Sequence, residues 1–246
     1  MRRLGATIRS MPLFDPVRVS HAAIRRGARL PLRDKVERFI QLAELKETLD
    51  ALRVDCVLDV GANQGQFARH LRAVGYNGAI VSFEPSAADY AVLAQAAADD
   101  PGWFTYALAL GAQDGELPFN VTANSVFNSF LSPLEERVDR EETVRVARLD
   151  GLFGEIRERT AASRVLLKAD TQGYDLEVMA GAETVLQHVV ALQSEVSVIP
   201  IYERMPHYLD ALRRYEELGF TLKSLHVVNR DHRGLVIEYD CLMVRA

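Results

Sequence analysis

One stretch constrains this chain more than any other: Val57-Leu58-Asp59-Val60-Gly61-Ala62-Asn63-Gln64-Gly65-Gln66-Phe67-Ala68. Continuous apolar runs mark strands buried on both faces, and a glycine directly after such a run lets the backbone swing sharply out of the sheet. Gly65 then precedes Phe67-Ala68-Arg69-His70-Leu71, which reads as the start of a helix. Strand, tight turn and helix in this order form the corner where α/β folds bind nucleotides.

The rest of the sequence keeps the same alternation. Strands are predicted at 55–60, 79–83, 104–110, 116–121, 165–169, 191–198, 222–228 and 235–245. Helices are predicted at 66–74, 87–98, 176–188 and 206–218. Such alternation implies a mostly parallel sheet with helices on both faces, here closed by a hairpin across the turn at 229–234. The segment 120–139 is polar enough for a long loop near the site.

Residues 53–246 read as one domain, and residues 1–52 as an N-terminal helical extension acting as a lid, a dimer contact or a cover for the sheet. In its last part, from Arg33 to Leu52, Val36, Phe39, Ile40, Ala43 and Leu49 recur at helical spacing, an apolar stripe expected to pack on the sheet. Ten Arg and Lys residues crowd the first forty positions, from Arg2 to Arg38, but Pro12, Pro16 and Pro31 interrupt any targeting helix.

With a net charge of −5, a basic nucleic-acid-binding surface is not expected. No run approaches the ~18 apolar residues of a membrane span. Cys56 and Cys241, the only cysteines, sit inside apolar strand runs without metal-ligand spacing, so both are expected buried and reduced and the protein cytoplasmic.

The turn itself selects the ligand. A dinucleotide fingerprint needs Gly-x-Gly-x-x-Gly, whereas Asn63 and Gln66 stand at its second and third glycines, which argues against an NAD-dependent oxidoreductase. No Gly-Lys-Ser/Thr follows, so a phosphate loop is excluded. The second strand ends in Phe83-Glu84-Pro85, and an acid about 20 residues beyond the first strand accepts the hydroxyls of a ribose. A ribose without a pyrophosphate site points to S-adenosylmethionine, whose sulfonium and amino groups suit acidic and carbonyl oxygens. Asp59, Gly61, Asn63, Gly65 and Glu84 are therefore the expected cofactor residues. Leu110 and Asp114, near the third strand's end, are the expected adenine contacts.

These residues belong to a longer series: Leu58 to Phe67, Ser82-Phe83-Glu84-Pro85, Ala107 to Gly111 with Asp114-Gly115, Asn128-Ser129, Arg148-Leu149-Asp150, Leu167 to Asp175, Gly181-Ala182 and Gln193-Ser194-Glu195. In this order they resemble the FkbM family of S-adenosylmethionine-dependent methyltransferases over residues 54–244. The resemblance implies a class I methyltransferase (Rossmann-like) fold: a seven-stranded, mostly parallel sheet ending in an antiparallel hairpin. It also implies methylation of a hydroxyl on a sugar, glycoside or secondary metabolite. Gln172 and Asp175 stand where the family often has Glu, and Arg148 where Thr is common.

Asp59, Glu84, Asp170 and Glu195 all fall at strand ends, so they gather at one crevice. Converging carboxylates repel one another, and a bound cation or a proton to be removed would compensate. Asp170 and Glu195 are assigned to the transfer, one as general base or both as ligands of Mg²⁺. His207, His226 and His232 are competing bases, or packing and surface histidines. Tyr202, Arg204 and Tyr208 line a sugar pocket or pack a helix. Asn124, Asn128 and Ser129 give their loop the polarity of an acceptor lid, or of an ordinary solvated loop. A rival of another class is a non-catalytic module that binds the nucleotide and presents its basic N-terminal region to an anionic partner.

Overall fold

The computed structural model describes residues 33–245, so the expectations for the first 32 positions lie outside the described residues. In chain order the elements are α1 (Arg33–Ala51), β1 (Cys56–Val60), α2 (Gln66–Ala73), β2 (Ala79–Phe83), α3 (Ala87–Ala97), β3 (Trp103–Tyr106), β4 (Ala109–Leu110) and β5 (Gly115–Thr122). There follow β6 (Val138–Ala147), α4 (Leu149–Thr160), β7 (Val165–Ala169), α5 (Asp175–Ala180), β8 (Val189–Ser197), α6 (Tyr208–Glu217), β9 (Thr221–Arg230) and β10 (Val236–Val244).

Seven strands form the main sheet in the order β3-β2-β1-β7-β8-β10-β9, and β10 runs antiparallel to both its neighbours. Strand order reverses between β1 and β7, which pair in parallel with Val60 beside Ala169. Both strands are buried along their whole length, as their unbroken apolar runs require. A crevice opens where order reverses, beyond the carboxyl ends of the strands. Gly61 and Asp170 are the first residues past those two ends.

The pleat divides each strand's residues between two cores. Leu58, Val60, Leu167, Ala169, Leu192 and Met243 enter the larger one, with Phe153 and Ile156 of α4 and Tyr215 of α6. On the opposite face Val57, Leu166, Ala191 and Leu242 pack with Leu45 and Leu49 of α1 and Leu71 of α2. Asp59, Lys168, Glu195 and Asp240 share this second face by the same period of two.

Several expectations are corrected. Of the stripe on α1 only Leu49 is buried, beside Leu45, which the spacing did not include; Val36, Phe39 and Ile40 are exposed. The compact unit containing the sheet begins at Gln41, so the later turns of α1 fold with it. The run read as one strand at 104–110 divides into β3, on the main sheet, and β4, in a separate three-stranded sheet ordered β4-β6-β5. The helix expected at 176–188 stops at Ala180, because Gly181 meets the Gly111 carbonyl so closely that a Cβ there would lie 2.0 Å from its oxygen. β6 and α4 were not foreseen, although Val144 and Val146, inward on either side of Arg145, carry the period of a strand. Cys56 and Cys241 are buried and free, as expected.

Candidate active site

The β1 turn is held by backbone contacts to the strands on either side. The N–H groups of Gly61 and Ala62 both donate to the Phe83 carbonyl at 3.1 and 3.0 Å, and the Asp170 N–H donates to the Val60 carbonyl at 3.1 Å. Gly61 is obligatory on two counts: its φ is +73°, and a Cβ would lie 2.0 Å from the Asp170 carbonyl oxygen. Gly65 also has a positive φ, but the close approach it serves is to the ring of Trp103, which would stand 2.8 Å from a Cβ. The missing side chain lets the turn pack closely on that ring.

Glu84, at the end of β2, is buried, and each oxygen accepts one backbone N–H: Asn63 at 2.7 Å and Ser86 at 2.9 Å. Burial pushes its pKa up to about 7, against the lowering effect of those two bonds. Each carboxylate oxygen keeps a second lone pair for a further donor, which a ribose diol would supply. Asn63, with a left-handed φ of +48°, spends its side chain within the protein. It donates to the carbonyl and hydroxyl of Ser125 and accepts from the Gln64 N–H and the Gln66 amide.

Asp59 lies deeper than expected. Its side chain is fully buried, with Oδ1 3.1 Å from Lys168 Nζ and Oδ2 accepting from Ser82 at 3.3 Å. It underpins the turn instead of facing a ligand. Lys168 also reaches Asp170 Oδ2 at 3.3 Å and the Gly61 carbonyl at 3.2 Å, so one ammonium joins β1, the turn and β7. Burial works to discharge this lysine, but the Asp59 and Asp170 carboxylates overcome it and hold the pKa above its ordinary value. The partnership of Lys168 with Asp59 depends on the register between β1 and β7, which sets the two residues abreast.

Asp170 and Glu195 do meet. The amide nitrogen of Gln172 donates to Asp170 Oδ1 at 3.2 Å and to Glu195 Oε2 at 2.9 Å. Asp170 keeps 41% of its side chain exposed, whereas Glu195 is largely covered. Burial, then the charges of Asp170, Glu238, Asp240 and Asp175, raise Glu195 well above the usual carboxylate range. Glu238 accepts from Ser197 and Asn229, and Asp240 from Gln41 of α1. Burial lifts Asp240 to about 6 and Asp175 to about 7.

Other sequence expectations fall elsewhere. Leu110 is a buried core residue of β4, packed among residues including Val60 and Phe83. Asp114 accepts the Arg148 N–H at 2.8 Å at the head of α4 and lines a separate cavity of about 630 Å³ with Arg145, Arg148 and Leu152. Asn128 and Ser129 are buried and bond within the protein, to Thr122 and to the Gln172 carbonyl. His226 is paired with Glu44 at 2.8 Å, His207 packs on Tyr208, and His232 sits exposed in the β9–β10 turn. Among the described residues no group of three or more His, Cys, Asp or Glu side chains is placed to hold a metal ion. Between Asp170 and Glu195 stands an amide donor where Mg²⁺ ligation would need an ion.

The acid cluster sets how stability responds to pH. Glu84, Asp175 and Asp240 have native pKa values above those of free carboxylates, so between about pH 4.5 and 7 the native state binds more protons than the unfolded chain. Stability is therefore greatest on the acid side of this window, falls as pH rises through it, and levels above about 7. Differential scanning calorimetry from pH 5 to 7.5 should show the midpoint falling, by roughly 2–4 °C per kcal/mol lost. A midpoint that climbs over this range would show that these acids are not desolvated in solution.

A reversed-order sheet, a glycine turn at the switch point and a buried acid at the next strand's end define a class I methyltransferase fold. Residues 59–222 match the model of the methyltransferase FkbM domain. The chain belongs to this family of S-adenosylmethionine-dependent methyltransferases. No curated protein matches it in sequence. Magnesium protoporphyrin IX methyltransferase from Synechocystis PCC 6803, solved with bound S-adenosylmethionine, is similar in structure at 12% identity and a TM-score of 0.48, over 86% of this chain and 81% of that one. Fibrillarin from Aeropyrum pernix, with natively bound S-adenosyl-L-methionine, is 12% identical at a TM-score of 0.47. That match takes in 77% of this chain and 66% of the fibrillarin, just under two thirds of its length. A putative S-adenosylmethionine-dependent methyltransferase from Listeria monocytogenes is 10% identical, at a TM-score of 0.47, over 83% and 97% of the two chains.

Proposed function

We propose that the protein transfers the methyl group of S-adenosylmethionine to a hydroxyl of a small-molecule acceptor, a sugar, glycoside or secondary metabolite. The observation that carries this reading is the half-exposed Asp170 carboxylate beside the glycine turn, with Glu195 as its buried neighbour. A hydroxyl keeps its proton until the new bond forms, so its methylation needs an accepting base where the acceptor arrives. Asp170 serves as that base, with Glu195 beside it on the shared Gln172 amide. When bound, the cofactor supplies an electrophilic methyl group. Glu84 holds its ribose, and the turn around Gly61 and Asn63 orients it. Alignment contributes as much as the base does, because the acceptor oxygen must meet the methyl group in line.

In this reading residues 53–246 form the catalytic domain and residues 1–52 the extension, while the net charge of −5 favours a small-molecule acceptor over nucleic acid. No described helix is long and apolar enough to cross a membrane. The two free, buried cysteines favour a cytoplasmic location.

Calorimetric titration with S-adenosylhomocysteine, beside NAD, tests the cofactor. Micromolar binding of the first alone is expected, followed by transfer of labelled methyl to members of a hydroxylated acceptor panel. Binding of NAD in its place would end the reading. The affinity should also depend on pH. Hydrogen bonds from ribose hydroxyls favour ionised Glu84, so binding lowers a pKa that starts near 7. Affinity then rises as pH climbs to about 7 and levels above, with proton release below that point. Glu84→Gln should weaken binding and flatten the profile; an unchanged slope in this variant would exclude Glu84 as the source.

A further inference from the structure

The residue between the two acids is unusual in itself. Gln172 has a left-handed φ of +54°, a conformation that strains a non-glycine residue, and its neighbour is the glycine that could have taken it. Such strain persists only where the surroundings fix it. Here they do: Ser129 donates to the Gln172 backbone carbonyl at 2.8 Å, and the hydroxyl of Tyr202, which is 1% exposed, lies 3.0 Å from the Gln172 side-chain oxygen. The same hydroxyl, in the segment after β8, lies 3.0 Å from the Phe127 carbonyl in the segment after β5, a second acceptor within reach of its single proton. Further contacts bind the two segments, from Leu134 N–H to the Ile201 carbonyl and from Glu203 N–H to the Ser132 carbonyl.

The amide nitrogen faces both acids, and its two hydrogens match one oxygen of each. The oxygen then turns to the Tyr202 hydroxyl, which can donate to it. Orientation is thus set by the whole network.

We propose that Gln172 is a positioning residue: its amide, aimed by Tyr202, holds Asp170 and Glu195 at one spacing and leaves Asp170 Oδ2 and Glu195 Oε1 as the oxygens without an amide partner. This rests on the methyltransferase reading in which Asp170 and Glu195 serve the transfer. A Glu at this position would set a third carboxylate against the pair, whereas the amide of this chain adds donors and no charge. Because Tyr202 and Ser129 belong to segments bonded to each other, the clamp also links those segments to the acid spacing.

The test is the side-chain amide spectrum of the full-length protein labelled with ¹⁵N-glutamine, at one pH throughout, with Gln172 assigned through its own backbone. Two separate, downfield-shifted Gln172 amide protons are expected. One should move in Asp170→Asn and the other in Glu195→Gln, and both should approach free-amide positions in Tyr202→Phe. A packing role alone would leave these resonances where free amides lie and indifferent to either acid, which would overturn the proposal. Tyr202→Phe is a mild change, so its effect is readable even if Gln172→Met fails to fold. S-adenosylhomocysteine calorimetry on the same samples separates the two levels of the argument. Binding retained throughout supports the clamp as a feature apart from cofactor capture. If the wild type does not bind S-adenosylhomocysteine although the amide shifts are as expected, the role assigned to the clamp falls with the reading beneath it.

Discussion

Replacing Asp170 with asparagine is expected to cut methyl transfer by about 10²–10⁴-fold, the usual worth of a positioned general base, with S-adenosylhomocysteine affinity retained. Asparagine keeps the shape of the residue, and the backbone link from Asp170 N–H to the Val60 carbonyl is untouched. What changes is the capacity to take a proton. The new amide also faces two donors at once, Lys168 Nζ on one side and the Gln172 amide on the other, and its single oxygen can answer only one of them. Rates measured with saturating cofactor against the acceptor from the hydroxyl panel would read the loss as turnover. Full turnover in this variant, with the cofactor still bound, would remove Asp170 from the chemistry and move attention to Glu195 or to an acceptor that needs no base.

Gly61→Ala should be the most damaging single change in the turn. A Cβ at 2.0 Å from the Asp170 carbonyl oxygen meets backbone, which cannot rotate aside, and the φ of +73° adds its own cost. The ends of β1 and β7 would have to part, breaking the Asp170 to Val60 bond and drawing Lys168 from the Gly61 carbonyl. A loss of about 4 kcal/mol is expected, among the larger values seen for point substitutions. Urea unfolding should show a clearly lower midpoint, and the folded fraction should not bind S-adenosylhomocysteine. Gly75→Ala is the matched control, since its φ is also positive and nothing lies within 4 Å of its Cβ position. Near-equal losses in the two variants would mean that the β1–β7 junction is looser than the structure shows.

The parts of the structure legible in the sequence are those that local pattern alone determines. The strand and turn around Gly61 could be read because a buried strand, a glycine and a helix start are all local signals. Glu84 could be read because the distance from the first strand to the second strand's end is set by the fold. Asp170 and Glu195 were found through their places at strand ends, and the structure joins them. What escaped depends on register and on long connections. Lys168 meets Asp59 only because β1 and β7 pair with those residues abreast. Tyr202 reaches Gln172 through a loop thirty residues further on, and no sequence period records that. Residues 104–110 were read as one strand where there are two, because nothing in that run shows that the chain changes sheets after Tyr106. Buried acids such as Glu238 were missed for a different reason: an acid within a strand ordinarily marks a solvent face.

The indole beneath the turn gives the protein an optical reporter of its own. Trp103 is the single tryptophan of the chain. Its ring lies against Gly65, and its N–H donates at 2.9 Å to Ser82, the residue that also holds Asp59. Indole emission responds to the polarity around the ring and to the strength of that one bond. A shift of the turn by a fraction of an ångström would therefore change the colour and yield of fluorescence. Ligand capture can then be followed on the unlabelled protein in a stopped-flow instrument, with no second tryptophan to dilute the signal.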